Sequence, residues 1–438
     1  MTQRRRRSAS RFLRHWRLSR ATRLRVYLVL GLSCLSLAFL GCLAGHDHRP
    51  WFAPRPAGPT GSTPPVVDRT IRVRLLGLRP EPRFDLQILC AYRLRDGRGG
   101  RELTRAGQPL PRVTVAPAAG SGAILLGAAS CNTDDLLVEP DGDAALVVND
   151  RTYRGRLRIR RADSGLTVTN LVDVESYLCG VLRGELPRGF DPQAQRALAV
   201  AARTYVLYEK LTAPVDHDYD VLSDERSQMY VGVAGEDRRA VEAVRETSGE
   251  PAGRRRRARK IFSTYYSSCC GGMTQSVREF RPGDPFVPTL AGGVRCNDCS
   301  AAPAFAWGPV TLSKIEITKR LVARYPRLAS LGQITAVAVD QTGPDGRATR
   351  IRVTGSGGAA TTLVGEDFRL SMGGHVLKST RFRLVDSGKS VRFADGRGFG
   401  HGVGLCQYGA DHRARMGATY RQILEFYFPG VIVRRVYR

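Results

Sequence analysis

Acidic residues are scarce in this 438-residue chain: 40 Asp and Glu stand against 68 Lys and Arg, for a formal net charge of +28. The deficit is sharpest at the start, where residues 1–25 hold ten arginines and no acid. Such a field leaves little to hold a cationic partner and favours a polyanion: nucleic acid, anionic lipid or an acidic wall polymer. Repeats of fixed period are absent, which sets solenoids and propellers aside. Apart from the basic tail, GRRRRARK at 253–260 is the one low-complexity run. It has no interleaved aromatic side chains on which bases could stack, so it reads as an exposed loop between two strands, and no nucleic-acid partner is expected. What is present is globular in composition, 42% apolar and 25% charged, and long enough for a large core or two to three domains.

Residues 26–45, VYLVLGLSCLSLAFLGCLAG, run for twenty positions without a charge. As a helix that run would span roughly 30 Å, the thickness of a bilayer core. The arginine-rich flank before it places the N-terminus in the cytosol by the positive-inside rule. The expectation is a signal anchor at a bacterial cytoplasmic membrane, single-pass, with the remainder extracytoplasmic. A cleaved signal peptide is the main rival, and FLGC ending at Cys42 resembles a lipoprotein box.

A Pro/Gly-rich linker fills 46–69. Beyond it, TIRVRLLGL, RFDLQILCAYRL, AALVVND and YRGRLRIRR alternate or cluster apolar and β-branched residues between Gly, Asp and Pro, predicting a β-rich segment over 70–160. A helix follows the stretch GVLRGELPRGF. Asp191 suits its N-cap and Pro192 its first position, and Leu198, Ala201, Ala202 and Tyr205 recur at helical spacing on a face to be buried. Arg203 lies amid these apolar residues and needs an anionic partner, either an intramolecular carboxylate or a ligand.

Four blocks in collinear order carry a resemblance. YLCGVLRGELP with QRALAVAARTYVL, then YDVLSDERSQMYVGVAGEDRRAVEAVRETSGEP, then IFSTYYSSCCGGMT, and last GRGFGHGVGLCQYGADHRARMGATYRQILEFYFPG cover about residues 152–438 and resemble the SpoIID/LytB family of bacterial peptidoglycan proteins. The resemblance implies a lytic transglycosylase that cuts between N-acetylmuramic acid and N-acetylglucosamine, with peptidoglycan glycan strands and other cell-wall hydrolases as partners. It places the catalytic acid at Glu185. It also implies a cleft walled by Arg203, Tyr205, Ser227, Gln228, Tyr265, Tyr266, Ser267, His401, Gln407 and Tyr408. One carboxyl suffices for such chemistry when it first gives and then takes a proton, whereas a hydrolase needs a second; the block around Glu185 offers none, Glu175 lying ten residues earlier. The family's other activity, non-catalytic enhancement of an N-acetylmuramoyl-L-alanine amidase, is the alternative.

Ten cysteines complete the inventory. SCCGG, with Cys269 and Cys270, precedes RCNDCS, with Cys296 and Cys299; Cys90, Cys131, Cys179 and Cys406 are scattered. A CxxC knuckle with another cysteine pair suits tetrahedral zinc, and outside a reducing compartment the same residues suit disulfides. Zinc is known at the corresponding block in members of the family. The expected ligands are Cys270, Cys296 and Cys299, with Cys269 as a further candidate. The whole is expected to be α+β: a basic tail (1–25), a transmembrane helix (26–45), the linker, the β-rich segment (70–160), and a SpoIID-like catalytic domain (161–438) with a central Ala-rich helix and a long cleft.

Overall fold

The computed structural model describes residues 68–254, 257–284 and 286–437. The strand Thr70–Leu75 shows how the first part is built. Ile71, Val73 and Leu75 turn inward and are buried, because successive side chains of a strand face opposite sides. The arginines between them turn outward to carboxylates of a distant loop: Arg72 to Asp220 at 2.7 Å and Arg74 to Asp218 at 2.7 Å. This strand pairs antiparallel with Gly165–Asp173 in the register Ile71↔Val172 and Val73↔Asn170. A seven-stranded sheet follows in the order Val221–Leu222, Thr70–Leu75, Gly165–Asp173, Arg156–Ala162, Asp135–Pro140, Tyr92–Asp96, Glu102–Ala106. A six-stranded sheet centred on Phe84–Ile88 and Leu110–Pro117 adds Leu86, Ile88 and Val115 to the same apolar core.

The strand Gly165–Asp173 runs directly into the helix Val174–Glu185. Asp173 ends the strand and caps the helix, its Oδ1 accepting from the Glu175 amide at 2.9 Å. Tyr177, Leu178, Val181 and Leu182 bury one face of it. The Ala-rich helix is Pro192–Thr212, capped by Asp191 with Pro192 at its start. Ala197 through Leu207 are all buried, so the burial expected for one face extends around the whole middle of the helix. Alanine makes this feasible, because neighbours approach closely on every side.

A second apolar cluster, apart from the main core, is formed by residues such as Trp307, Ile317, Ile351, Phe368, Leu377 and Phe393. Two three-stranded sheets, one from Val310–Ser313, Arg383–Ser387 and Ser390–Ala394, the other from Ile334–Thr342, Ala348–Gly355 and Ala360–Val364, pack with the helices Lys314–Arg324 and Gly365–Met372 to make this lobe. Within 161–438, expected as one catalytic domain, this lobe has an apolar core of its own.

The basic tail 1–25 and the apolar run 26–45 lie outside the described residues, as does the linker up to residue 67. No helix of the described residues is long and apolar enough to cross a membrane. The longest, Pro192–Thr212, has 21 residues but carries Arg196, Arg203, Glu209 and Lys210. The expected fold, with its transmembrane helix, and the expected single-pass location at the cytoplasmic membrane are corrected to this: the described residues form a mixed α+β protein with no helix long and apolar enough to cross a membrane.

Candidate functional site

Glu185 is the last residue of its helix. The segment after it must turn away sharply, and Gly184 allows the helix end to sit against residue 229, since a Cβ on Gly184 would lie 2.2 Å from the Met229 carbonyl oxygen. That close approach lets the Met229 amide donate to Glu185 Oε1 at 2.8 Å. Gln407 Nε2 donates to Oε2 at 3.3 Å, and the Tyr266 hydroxyl lies within hydrogen-bonding reach. Burial nonetheless raises the pKa of the carboxyl against the three donors, and the negative end of the helix macrodipole acts in the same direction.

Behind Tyr266 the network continues. Gln228, fully buried, donates from Nε2 to the Tyr266 oxygen at 2.9 Å and accepts at Oε1 from the Tyr177 hydroxyl at 2.9 Å. Because the Gln228 amide occupies a lone pair of Tyr266, the Tyr266 proton is free to point at Glu185.

The carboxyl opens into a cleft of about 640 Å³. Of the residues expected there, Tyr205, Ser227, Tyr265, Tyr266, Ser267, His401, Gln407 and Tyr408 line it. Tyr265 places its edge against Tyr205 with ring centroids 6.0 Å apart, and Tyr408 packs on Phe190. His401 stacks on Phe280 at 4.5 Å and accepts at Nδ1 from the Val403 amide at 3.0 Å, which leaves the proton on Nε2. Burial pulls its pKa down to about 3, so the ring is neutral. The loop bearing it depends on Gly402 (φ 77°), where a Cβ would lie 2.5 Å from the Arg347 guanidinium. Arg347, fully buried, donates to the carbonyls of Gly400 and Cys270.

Two expected residues lie elsewhere. Gln228 stands behind the cleft as described. Arg203 is entirely buried and forms a bidentate pair with Glu175 at 3.0 and 2.6 Å; Glu175 also accepts from the Tyr437 hydroxyl at 2.7 Å and the Gly249 amide at 3.2 Å. Glu175 is therefore held in the fold and takes no part in the cleft. Two other carboxylates do line it. Glu366 is bidentately bound by Arg369 at 2.8 and 2.7 Å and its pKa is lowered, while Glu225 is exposed. The lowered pKa of Glu366 is opposite in direction to the raised one of Glu185. Glu366, Arg369 and Lys378 come from the second lobe, in stretches between the resembling blocks that carry no periodicity or spacing to mark them.

The thiols of Cys270, Cys296, Cys299 and Cys406 all lie within 4.8 Å of one another and are buried. Four thiolates around a zinc ion at about 2.3 Å stand roughly 3.8 Å apart, so the donor set and its spacing fit a closed tetrahedral site. Cys270 and Cys299 are 3.6 Å apart, and Cys296 lies 3.1 Å from the Tyr427 hydroxyl. Cys406, scattered in the sequence, completes the set; Cys269 is not among the four, its thiol donating to the Cys299 carbonyl at 3.9 Å beside them. The cluster abuts the cleft through the chain itself. The strands Tyr266–Ser267 and Leu405–Cys406 pair in parallel, Ser267 opposite Cys406, so two thiol-bearing segments also carry Tyr266 and Gln407.

Residues 162–251 match the family described as Stage II sporulation protein, and residues 294–404 match a domain of unknown function, DUF8618. An uncharacterized protein of Brachyspira hyodysenteriae is 31% identical over 287 residues, covering 65% of this chain and 73% of its own length. Stage II sporulation protein D of Bacillus subtilis is 24% identical over 273 residues (59% of this chain, 74% of the relative). The amidase enhancer of the same organism is 27% identical over 298 residues, 58% of this chain and 39% of that protein.

Proposed function

The chain belongs to the SpoIID/LytB family and its function is related to the cell wall, and on that footing we propose that it is a lytic transglycosylase acting on peptidoglycan strands. The observation that supports this most is the setting of Glu185: one carboxyl with a raised pKa, facing a cleft, with three donors on its oxygens.

In this reading the protonated Glu185 gives its proton to the glycosidic oxygen as the bond to the muramyl C1 breaks through an oxocarbenium-like state. The carboxylate left behind is stabilised by the Met229 amide, the Gln407 amide and the Tyr266 hydroxyl. It then takes the proton of the muramyl C6 hydroxyl, whose oxygen closes on C1 to give a 1,6-anhydro ring. The proton lost in the first step is regained in the second, and no water is consumed. Neutral His401 offers an Nε2 donor to a sugar oxygen, and the rings of Tyr265 and Tyr408 give apolar surface for the sugar faces. The engagement of Glu366 by Arg369 and the exposure of Glu225 accord with a one-acid mechanism.

Cys270, Cys296, Cys299 and Cys406 would hold zinc, which in a closed four-thiolate site supplies a fixed cross-link and no reactive position. The effect on chemistry is through placement of Gln407 and Tyr266. The 27% identity to an amidase enhancer favours a second reading, in which the same cleft binds strands and stimulates an amidase without cutting. Mass spectrometry of the ends produced from purified glycan strands separates the two.

A further inference from the structure

Charged side chains of both signs line the cleft: Glu185, Glu225, Arg226 and Arg281 from the segment around the main core, and Glu366, Arg369 and Lys378 from the second lobe. Arg369 is neutralised by Glu366 at 2.7 Å. Lys378 is not: its ammonium has no hydrogen bond or ion pair among the described residues, although the residue is half-buried. An ammonium at the cleft wall that no carboxylate of the protein engages is open to an anion brought by a ligand.

The backbone around Lys378 is held from both sides. Arg369 Nη1 donates to the carbonyls of Gly374, Leu377 and Lys378 at 3.3 to 3.5 Å. The Gly400 amide donates to the Lys378 carbonyl at 2.7 Å, and the Ser379 hydroxyl to the Arg397 carbonyl at 2.6 Å. The lysine thus projects from a fixed point beside the loop that presents His401. Of the groups on a peptidoglycan strand, the N-acetyl and hydroxyl groups are neutral. Carboxylates occur on the lactyl ether of muramic residues, either free or at the end of the attached peptide.

We propose that Lys378 is a carboxylate-binding residue of the cleft, taking the carboxylate borne by a muramic residue and thereby fixing which glycosidic bond lies against Glu185. This rests on the reading that the cleft holds glycan strands, though it does not require that they be cut. The second lobe then acts as the reader of strand position and the Glu185 helix as the site of reaction.

The test measures binding by the Glu185→Gln full-length protein, so that cleavage plays no part. The probes are peptide-free strands, peptide-bearing strands, and both again with their carboxyl groups converted to neutral methylamides. Lys378→Met, which keeps the apolar stem, should weaken binding of the strands with free carboxylates by roughly tenfold or more and leave the amidated strands unchanged. Lys378→Arg should restore most of the loss. A loss confined to peptide-free strands assigns the lactyl carboxylate as ligand, and one confined to peptide-bearing strands assigns the peptide; either supports the proposal. Equal loss on amidated strands, no loss on any strand, or no binding of strands at all overturns it. Cleavage by the otherwise unaltered protein is scored separately: its absence removes the transglycosylase reading and leaves the Lys378 comparison intact.

Discussion

Gln407 Nε2 donates to Glu185 Oε2 across 3.3 Å, joining residues 222 positions apart in the chain. Cys406, the neighbour of Gln407, is one of the four converging thiols. The acid and the cysteine cluster are thus separated by a single peptide bond and one side chain. Disturbing the cluster should be felt at the carboxyl.

The first prediction follows from this. Purified protein should hold about one equivalent of zinc per chain, and Cys406→Ser should lose the metal and much of the cleavage activity, while Cys269→Ser should keep both. Elemental analysis and thiol titration check it. A metal-free protein with its cysteines oxidised in pairs would show disulfides in place of a metal site.

The hydrogen bonds on Glu185 make the second prediction one of pH. Tyr266→Phe removes a donor that favours the charged carboxylate, so the Glu185 pKa should rise further. Activity requires the protonated acid at the outset and falls as pH rises through that pKa. The descending limb of kcat/KM against pH should therefore move to higher pH, by about one unit for the loss of one hydrogen bond to a charged group. Gln228→Leu should move it in the same direction, because the Tyr266 hydroxyl loses the partner that orients it. An unmoved limb would show that Tyr266 does not act on the acid.

Glu185 was singled out by the family resemblance of its block; its local pattern, an acid between glycine and proline just ahead of an Ala-rich helix, would by itself suit an ordinary loop glutamate. The helix itself was legible from its cap and spacing. Arg203 was visible as a residue in need of an anion, but which anion was decided by Glu175, 28 positions earlier, a choice that no local pattern encodes. Cys406 looked solitary because its partners come from two other segments and meet only when Tyr266–Ser267 pairs with Leu405–Cys406. The second lobe carries no local mark for a similar reason: Val310–Ser313 finds its partner in Ser390–Ala394, some 80 positions on, and its contribution to the cleft depends on Arg347 and Lys378 meeting the glycine-rich loop.

The third prediction separates folding from function. Glu175 is held below its ordinary pKa in the folded protein, burial opposing and Arg203 prevailing. Its contribution to stability is present above the pKa of the unfolded chain, about 4.3, and is lost as pH falls through the lower folded value. Glu175→Gln leaves the buried guanidinium without its counter-ion and should cost about 3–5 kcal/mol, read by denaturant unfolding at neutral pH. A small loss would mean that Arg203 finds another anion.

Glu185 behaves oppositely. Its folded pKa is raised, so the charged form is disfavoured in the folded state and the penalty grows as pH rises above the unfolded value. Glu185→Gln should therefore stabilise the protein at neutral pH by about 1 kcal/mol, with the gain shrinking as the pH is lowered toward 4. Thermal unfolding across that range checks the sign.

The most direct test of the central claim compares the unaltered protein with Glu185→Gln on purified glycan strands and identifies the new ends by mass spectrometry. The unaltered protein should release 1,6-anhydro-muramic ends, and Glu185→Gln should bind the strands but cut them about 10² to 10⁴ times more slowly. Reducing ends that have gained water, or undiminished cutting by Glu185→Gln, would contradict a mechanism in which one carboxyl gives and then retrieves the proton.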